Sequence, residues 1–132
     1  MNTKVIHECT TGALEGKTTF PQTVKKLVEI EVERYYADLI RMEKVFYAKN
    51  GETCIERLPI ASCPPLADRF DEEGVKGSIR QIQQDQIGYA EFLRQIVGHG
   101  AASYTVYIDG RLAAYHGRRG ECYIEKFPPQ KS

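Results

Sequence analysis

A chain of 132 residues, 42% hydrophobic and 27% charged, is one domain's worth of globular protein, long enough to bury a real core. Eighteen basic residues balance eighteen acidic ones, and residues 1–66 and 67–132 each carry nine of either sign. That balance argues against a nucleic-acid or acidic-membrane partner, and no stretch approaches the ~20 apolar residues of a membrane span.

The first residues, MNTKVIHECTTGALEG, hold no apolar run of signal-peptide length, which points to the cytoplasm. Within them Val5, Ile6 and Cys9 suggest a short helix. Phe20, Val24, Leu27 and Val28 then recur at helical spacing, with Pro21 suited to the first turn. ERYYADLI alternates like a strand, and Asn50-Gly51 signals a hairpin. Pro64-Pro65 interrupts a linker, IASCPPLADRFDEE. Val75, Ile79 and Ile82 share a helical face, and Tyr89, Leu93, Ile96 and Val97 share another, stopped by Gly98-His99-Gly100. ASYTVYID is again a strand, followed by turns at Asp109-Gly110 and Arg119-Gly120.

NGETCIERLP and RGECYIEKFP are nearly the same phrase, 69 residues apart. In that register Tyr35 meets Tyr104, Phe46 meets Tyr115, Leu27 meets Ile96 and Phe20 meets Tyr89. Forty residues of matched apolar positions indicate an internal duplication. The expected fold is a single α+β domain over 1–132 with repeat units at about 20–59 and 89–128. Each unit is a helix plus three antiparallel strands. Together they form one six-stranded antiparallel sheet with helices on one face and a pseudo-twofold axis between units. Two separate small layers are the alternative. No duplication is legible in the helices that precede each unit.

Two-residue turns fix which side chains share a face. An Asn50-Gly51 turn pairs Tyr47 with Cys54, Phe46 with Ile55 and Val45 with Glu56. The Asp109-Gly110 turn pairs Tyr107 with Leu112 and Tyr104 with Tyr115. The Arg119-Gly120 turn pairs His116 with Tyr123 and Ala114 with Glu125. An outer face then carries Tyr36, Tyr47, Glu56, Tyr107, His116, Tyr123 and Glu125, and these are the candidate binding or interface residues. Aromatic and polar groups mixed on one face suit such a surface. Lys44, Arg57 and Lys126 are the misfits on the inner face and are expected at a rim, where long stems reach water.

Glu56 and Glu125, repeat equivalents, resemble a carboxylate pair, although solvation or pairing with cations accounts for them more simply. His116 is expected between Ser103 and Tyr123, where proton transfer is conceivable but ordinary hydrogen bonding suffices. Cys54, near Arg34, could be activated by the cation. Four scattered cysteines without a CxxC pair and three scattered histidines give no zinc site. No catalytic residue, metal or cofactor is assigned. Cys54 is expected outward and Cys122 inward, hence unbridged.

FPQTVKKL, VERYYADL, YAEFL and SYTVYIDGR, closing on YHGRRGECYIEKFP, together resemble the YbcV-like family of short bacterial proteins of unknown function. Some of its members carry a phage envelope protein-like label. The resemblance runs from about Phe20 to Pro128, is most specific from YAEFL to EKFP, and departs at GHGA. It implies a compact α+β bacterial domain and brings no catalytic residues. Two functions remain open: a non-enzymatic binding or interaction protein, self-associating as a homodimer through the outer face, or a small enzyme or ligand sensor with a pocket near His116, Tyr123 and Glu125.

Overall fold

The computed structural model describes residues 1–128. Four helices and six strands follow in the order α1 (Thr3–Leu14), α2 (Phe20–Glu29), β1 (Val32–Asp38), β2 (Glu43–Ala48), β3 (Thr53–Arg57), α3 (Glu72–Gln83), α4 (Tyr89–Gly98), β4 (Ser103–Tyr107), β5 (Leu112–His116) and β6 (Cys122–Lys126). The strands form one antiparallel sheet in the order β3-β2-β1-β4-β5-β6. The α+β duplication expected from the sequence is therefore present.

The repeat extends further than the sequence pattern reveals. An offset of 69 residues carries α1 onto α3 and α2 onto α4, end to end, and β3 onto β6. Each unit is thus two helices and three strands. Local chemistry repeats with it. Asn2 caps α1 by accepting from the Val5 amide, and Asp71 caps α3 by accepting from the Gly74 amide. Backbone at positive φ recurs at the same offset: Gly16 with Asp85, Glu31 with Gly100, Met42 with Arg111, and Gly51 with Gly120. The middle of the sheet is its own symmetry image, because Tyr36 of β1 pairs with Thr105 of β4, its equivalent in the other unit. The pseudo-twofold axis passes between them.

Alternation along the strands divides the sheet into two faces. The inner face consists of two rows running across all six strands. One is Cys54, Phe46, Tyr35, Val106, Ala113 and Glu125; the other is Glu56, Lys44, Ala37, Tyr104, Tyr115 and Tyr123. The helices close over this face, and Ile6, Leu27, Val75, Leu93 and Ile96 join it in the core. Among the described residues no helix covers the other face, where Ile55 and Ile124 are exposed.

Two hairpins differ from their expected register. Ala48 and Gly117 each close a three-residue loop, to Glu52 and Glu121, and glycines at φ +92° and +84° end those loops. A three-residue loop ending in left-handed glycine adds one residue to the connection. Phe46 therefore pairs with Cys54 rather than Ile55, and Tyr115 with Tyr123 rather than Ile124. A one-residue slip turns a whole strand over. Cys54, Glu56, Tyr123 and Glu125 point to the helices, while Ile55 and Ile124 point to solvent. The β4–β5 pairing is as expected, Tyr107 opposite Leu112.

Candidate functional site

The helices do not fill the space above the sheet. A cavity of about 740 Å³ remains, floored by Tyr35, Lys44, Phe46, Tyr104, Ala113 and Tyr115. Its roof is built from α1 (Cys9, Thr10, Ala13), the end of α3 (Ile79, Ile82, Gln83) and the start of α4 (Tyr89, Phe92). The α1–α2 and α3–α4 connections, symmetry equivalents, both border it through Gly16 and Asp85. A concave, mostly apolar space with a few convergent polar groups is the usual form of a small-molecule site.

Lys44 is the unusual member. It lies on β2 in the inner row and is 4% exposed. Its Nζ sits 4.9 Å from the Tyr35 ring centre and 4.4 Å from that of Tyr89. Among the described residues no carboxylate and no hydrogen-bond acceptor engages it. Its cross-strand neighbour Glu56 is instead held by His7 Nδ1 at 2.8 Å. Burial lowers the amine from its ordinary value to about 7, opposed in part by the Cys9 thiol. Its equivalent in the second unit is Ala113, so the two halves of the cavity are chemically unlike.

Phenols surround the amine. Tyr89 and Tyr104 share a hydrogen bond through their hydroxyls, and Tyr104 packs on Tyr115 with ring centres 5.2 Å apart. Burial raises the phenols of Tyr35, Tyr89, Tyr104 and Tyr115 well above their ordinary range. They stay proton donors at neutral pH. At the far wall Glu125 accepts from Tyr123 at 2.6 Å and from Arg80 at 2.9 Å. Partial burial pushes its carboxyl up, but these hydrogen bonds outweigh that and hold it below the ordinary carboxylate range.

The candidate residues from the sequence separate into two groups. Tyr36, Tyr47, Tyr107 and His116 lie on the open face as expected. Glu56, Tyr123 and Glu125 do not: the slipped register turns them inward, Tyr123 and Glu125 beside Arg80 and Glu56 beside His7. His116 stands between Ser103 and Cys122, not Tyr123, and so lies on the opposite face of the sheet from Tyr123 and Glu125. Arg34 stacks on Tyr47 at 4.1 Å on the open face, away from Cys54. Burial and then Glu56 raise the Cys54 thiol rather than lower it. Cys54 and Cys122 do occupy opposite faces, each on the one expected of the other, and all four cysteines are free.

Lys44 is not at a rim. The signal for it was a charged residue at an inward position whose repeat partner is alanine. A break in the apolar pattern within only one copy of a duplication marks a position released from packing. Comparison of the chain with protein-family models and with curated proteins finds no match.

Proposed function

We propose that the chain is a small-molecule binding domain whose ligand occupies the cavity between sheet and helices. The observation that carries this reading is Lys44, unpartnered among the described residues, lining a space of about 740 Å³. Burying an amine without an anion costs stability, and a ligand that engages the amine offsets the cost. The ligand is compact and largely apolar, since aromatic rings dominate the walls, and carries one polar group for the amine. The test uses the anionic dye anilinonaphthalene sulfonate. One dye should bind per chain, and Ala113→Phe, which fills the floor, should weaken it about tenfold, near 1.4 kcal/mol. Ala13→Phe fills the roof and gives an independent check, with circular dichroism confirming that each variant folds. Dye binding that both variants leave unchanged defeats the reading.

A second reading concerns the open face. Its central row reads Ile55, Val45, Tyr36, Thr105, Ala114 and Ile124, palindromic under the pseudo-twofold. Ile55 is 61% exposed, Ile124 51% and Tyr107 42%. We infer a homodimer in which this face meets its copy, since large apolar patches are seldom left uncovered. Such an interface needs roughly 1,000 Å² of total buried area. Sedimentation at rising concentration should show the wild type as dimer and Ile55→Glu with Ile124→Glu as folded monomer. A wild type that stays monomeric throughout rejects the dimer.

Four unbridged thiols support a reducing compartment, the cytoplasm. Among the described residues no helix is long and apolar enough to cross a membrane. The motif resemblance to the YbcV-like family is the ground for placing the chain among bacterial, phage-related domains, and it adds no ligand.

A further inference from the structure

We propose that Lys44 forms an imine with a compact aromatic aldehyde held in the inner cavity. The inference rests on the small-molecule reading and specifies the ligand's reactive group. Three observations converge on it. Lys44 is nine-tenths buried and lines the cavity, yet no acid or acceptor among the described residues holds its charge. The rings of Tyr35 and Tyr89 lie 4.9 Å and 4.4 Å from the amine, aromatic surfaces on which a flat ligand attached to it can pack. The phenols of Tyr35, Tyr89, Tyr104 and Tyr115 line the same cavity and are proton donors available to a carbonyl oxygen bound there. The Tyr89–Tyr104 pair uses one of its two hydroxyl protons internally, and the other remains free to donate outward.

A carboxylate ligand is the competing choice. It would engage Lys44 as the ammonium, the form that burial disfavours. An aldehyde instead consumes the neutral amine, which burial makes abundant near neutral pH. The Nζ lone pair attacks the carbonyl carbon, and the oxygen takes a proton to give a carbinolamine. The C–O bond then breaks, the oxygen leaves as water with the two amine protons, and a C=N bond forms. No oxidant or reductant is involved.

The test incubates the folded chain with benzaldehyde and sodium cyanoborohydride, which reduces the imine to a stable secondary amine, and maps the label by mass spectrometry. At pH near 7 Lys44 should label at least about tenfold faster than exposed Lys4 or Lys49. The preference should narrow as pH approaches the ordinary lysine range. Lys44→Met should remove this label. Ala113→Phe or Ala13→Phe should suppress labelling of Lys44 and leave Lys4 and Lys49 unchanged. Labelling of Lys44 no faster than of the exposed lysines, or insensitive to both filling variants, overturns the proposal. Dye binding that responds to the filling variants while Lys44 stays unlabelled rejects the imine alone. Dye binding that ignores them rejects the binding reading as well.

Discussion

Lys44→Met stabilises the ligand-free protein by about 3–5 kcal/mol near pH 6, and the gain shrinks as pH rises. The sign follows from linkage. The Lys44 amine falls to about 7 in the folded chain and returns to its ordinary value when unfolded. Below both values each state binds the proton, and the folded state bears the full cost of a buried charge. Between them the unfolded chain holds more protons, so wild-type stability climbs with pH, by at most about 1.4 kcal/mol per unit. Other titratable groups line the same cavity or pair across the strand with Lys44. They include Cys9 on α1, Tyr89 on α4, Tyr35 on β1, Glu56 on β3, Tyr104 on β4, Tyr115 on β5, Glu125 and Lys126 on β6, and Asp85 after α3. Arg80 on α3 is tied to Glu125, and Lys26 on α2 acts on Cys9. The Cys9 thiol and the phenols have raised values, so their contribution is lost as pH rises into the alkaline range. The clean window lies between about pH 7 and 9. Urea unfolding across it should show a rising wild type and a flatter variant. Parallel profiles would mean that the amine stays charged in the folded protein.

Gly100→Ala should destabilise the fold by about 3 kcal/mol or more, against about 1 kcal/mol for Gly120→Ala. Both glycines hold left-handed backbone, at φ +90° and +84°. Around Gly120 an added Cβ meets nothing, so only backbone strain is felt. At Gly100 it would overlap the Arg69 carbonyl and the Phe70 Cα, backbone atoms that cannot rotate away. Side by side, the two substitutions separate strain from collision. Equal losses in thermal unfolding would show that the linker moves aside freely.

Much of the sheet can be read from residues because the repeated strands keep their apolar alternation. The hairpin around Asp109-Gly110 yields its pairing directly, although left-handed backbone falls on Arg111. The hairpins at Gly51 and Gly120 do not, since a glycine ending a three-residue loop looks the same in sequence as one completing a two-residue turn. That ambiguity alone sends Glu56, Tyr123 and Glu125 to the wrong face. The repeat in α1 and α3 is hidden for another reason. Ile6 and Val75 match, but Cys9 is replaced by Ser78 and Thr10 by Ile79, all buried. Burial is preserved there while polarity is exchanged. Lys44 is misplaced because a charged side chain is ordinarily assigned to a wet edge, and only the helices packed over the inner face show that it is almost wholly covered.

The pseudo-twofold passing between Tyr36 and Thr105 has a consequence for ancestry. Two separate copies of one unit, meeting along β1 and β4, would build the same sheet and the same chamber. In that assembly, positions 44 and 113 would have to be identical. Two lysines would then place like charges in one chamber, and two alanines would leave it without the amine. Joining the copies into one chain frees each position to mutate alone. A lone amine whose symmetry equivalent is an alanine is an arrangement available to the fused gene and denied to its symmetric forebear.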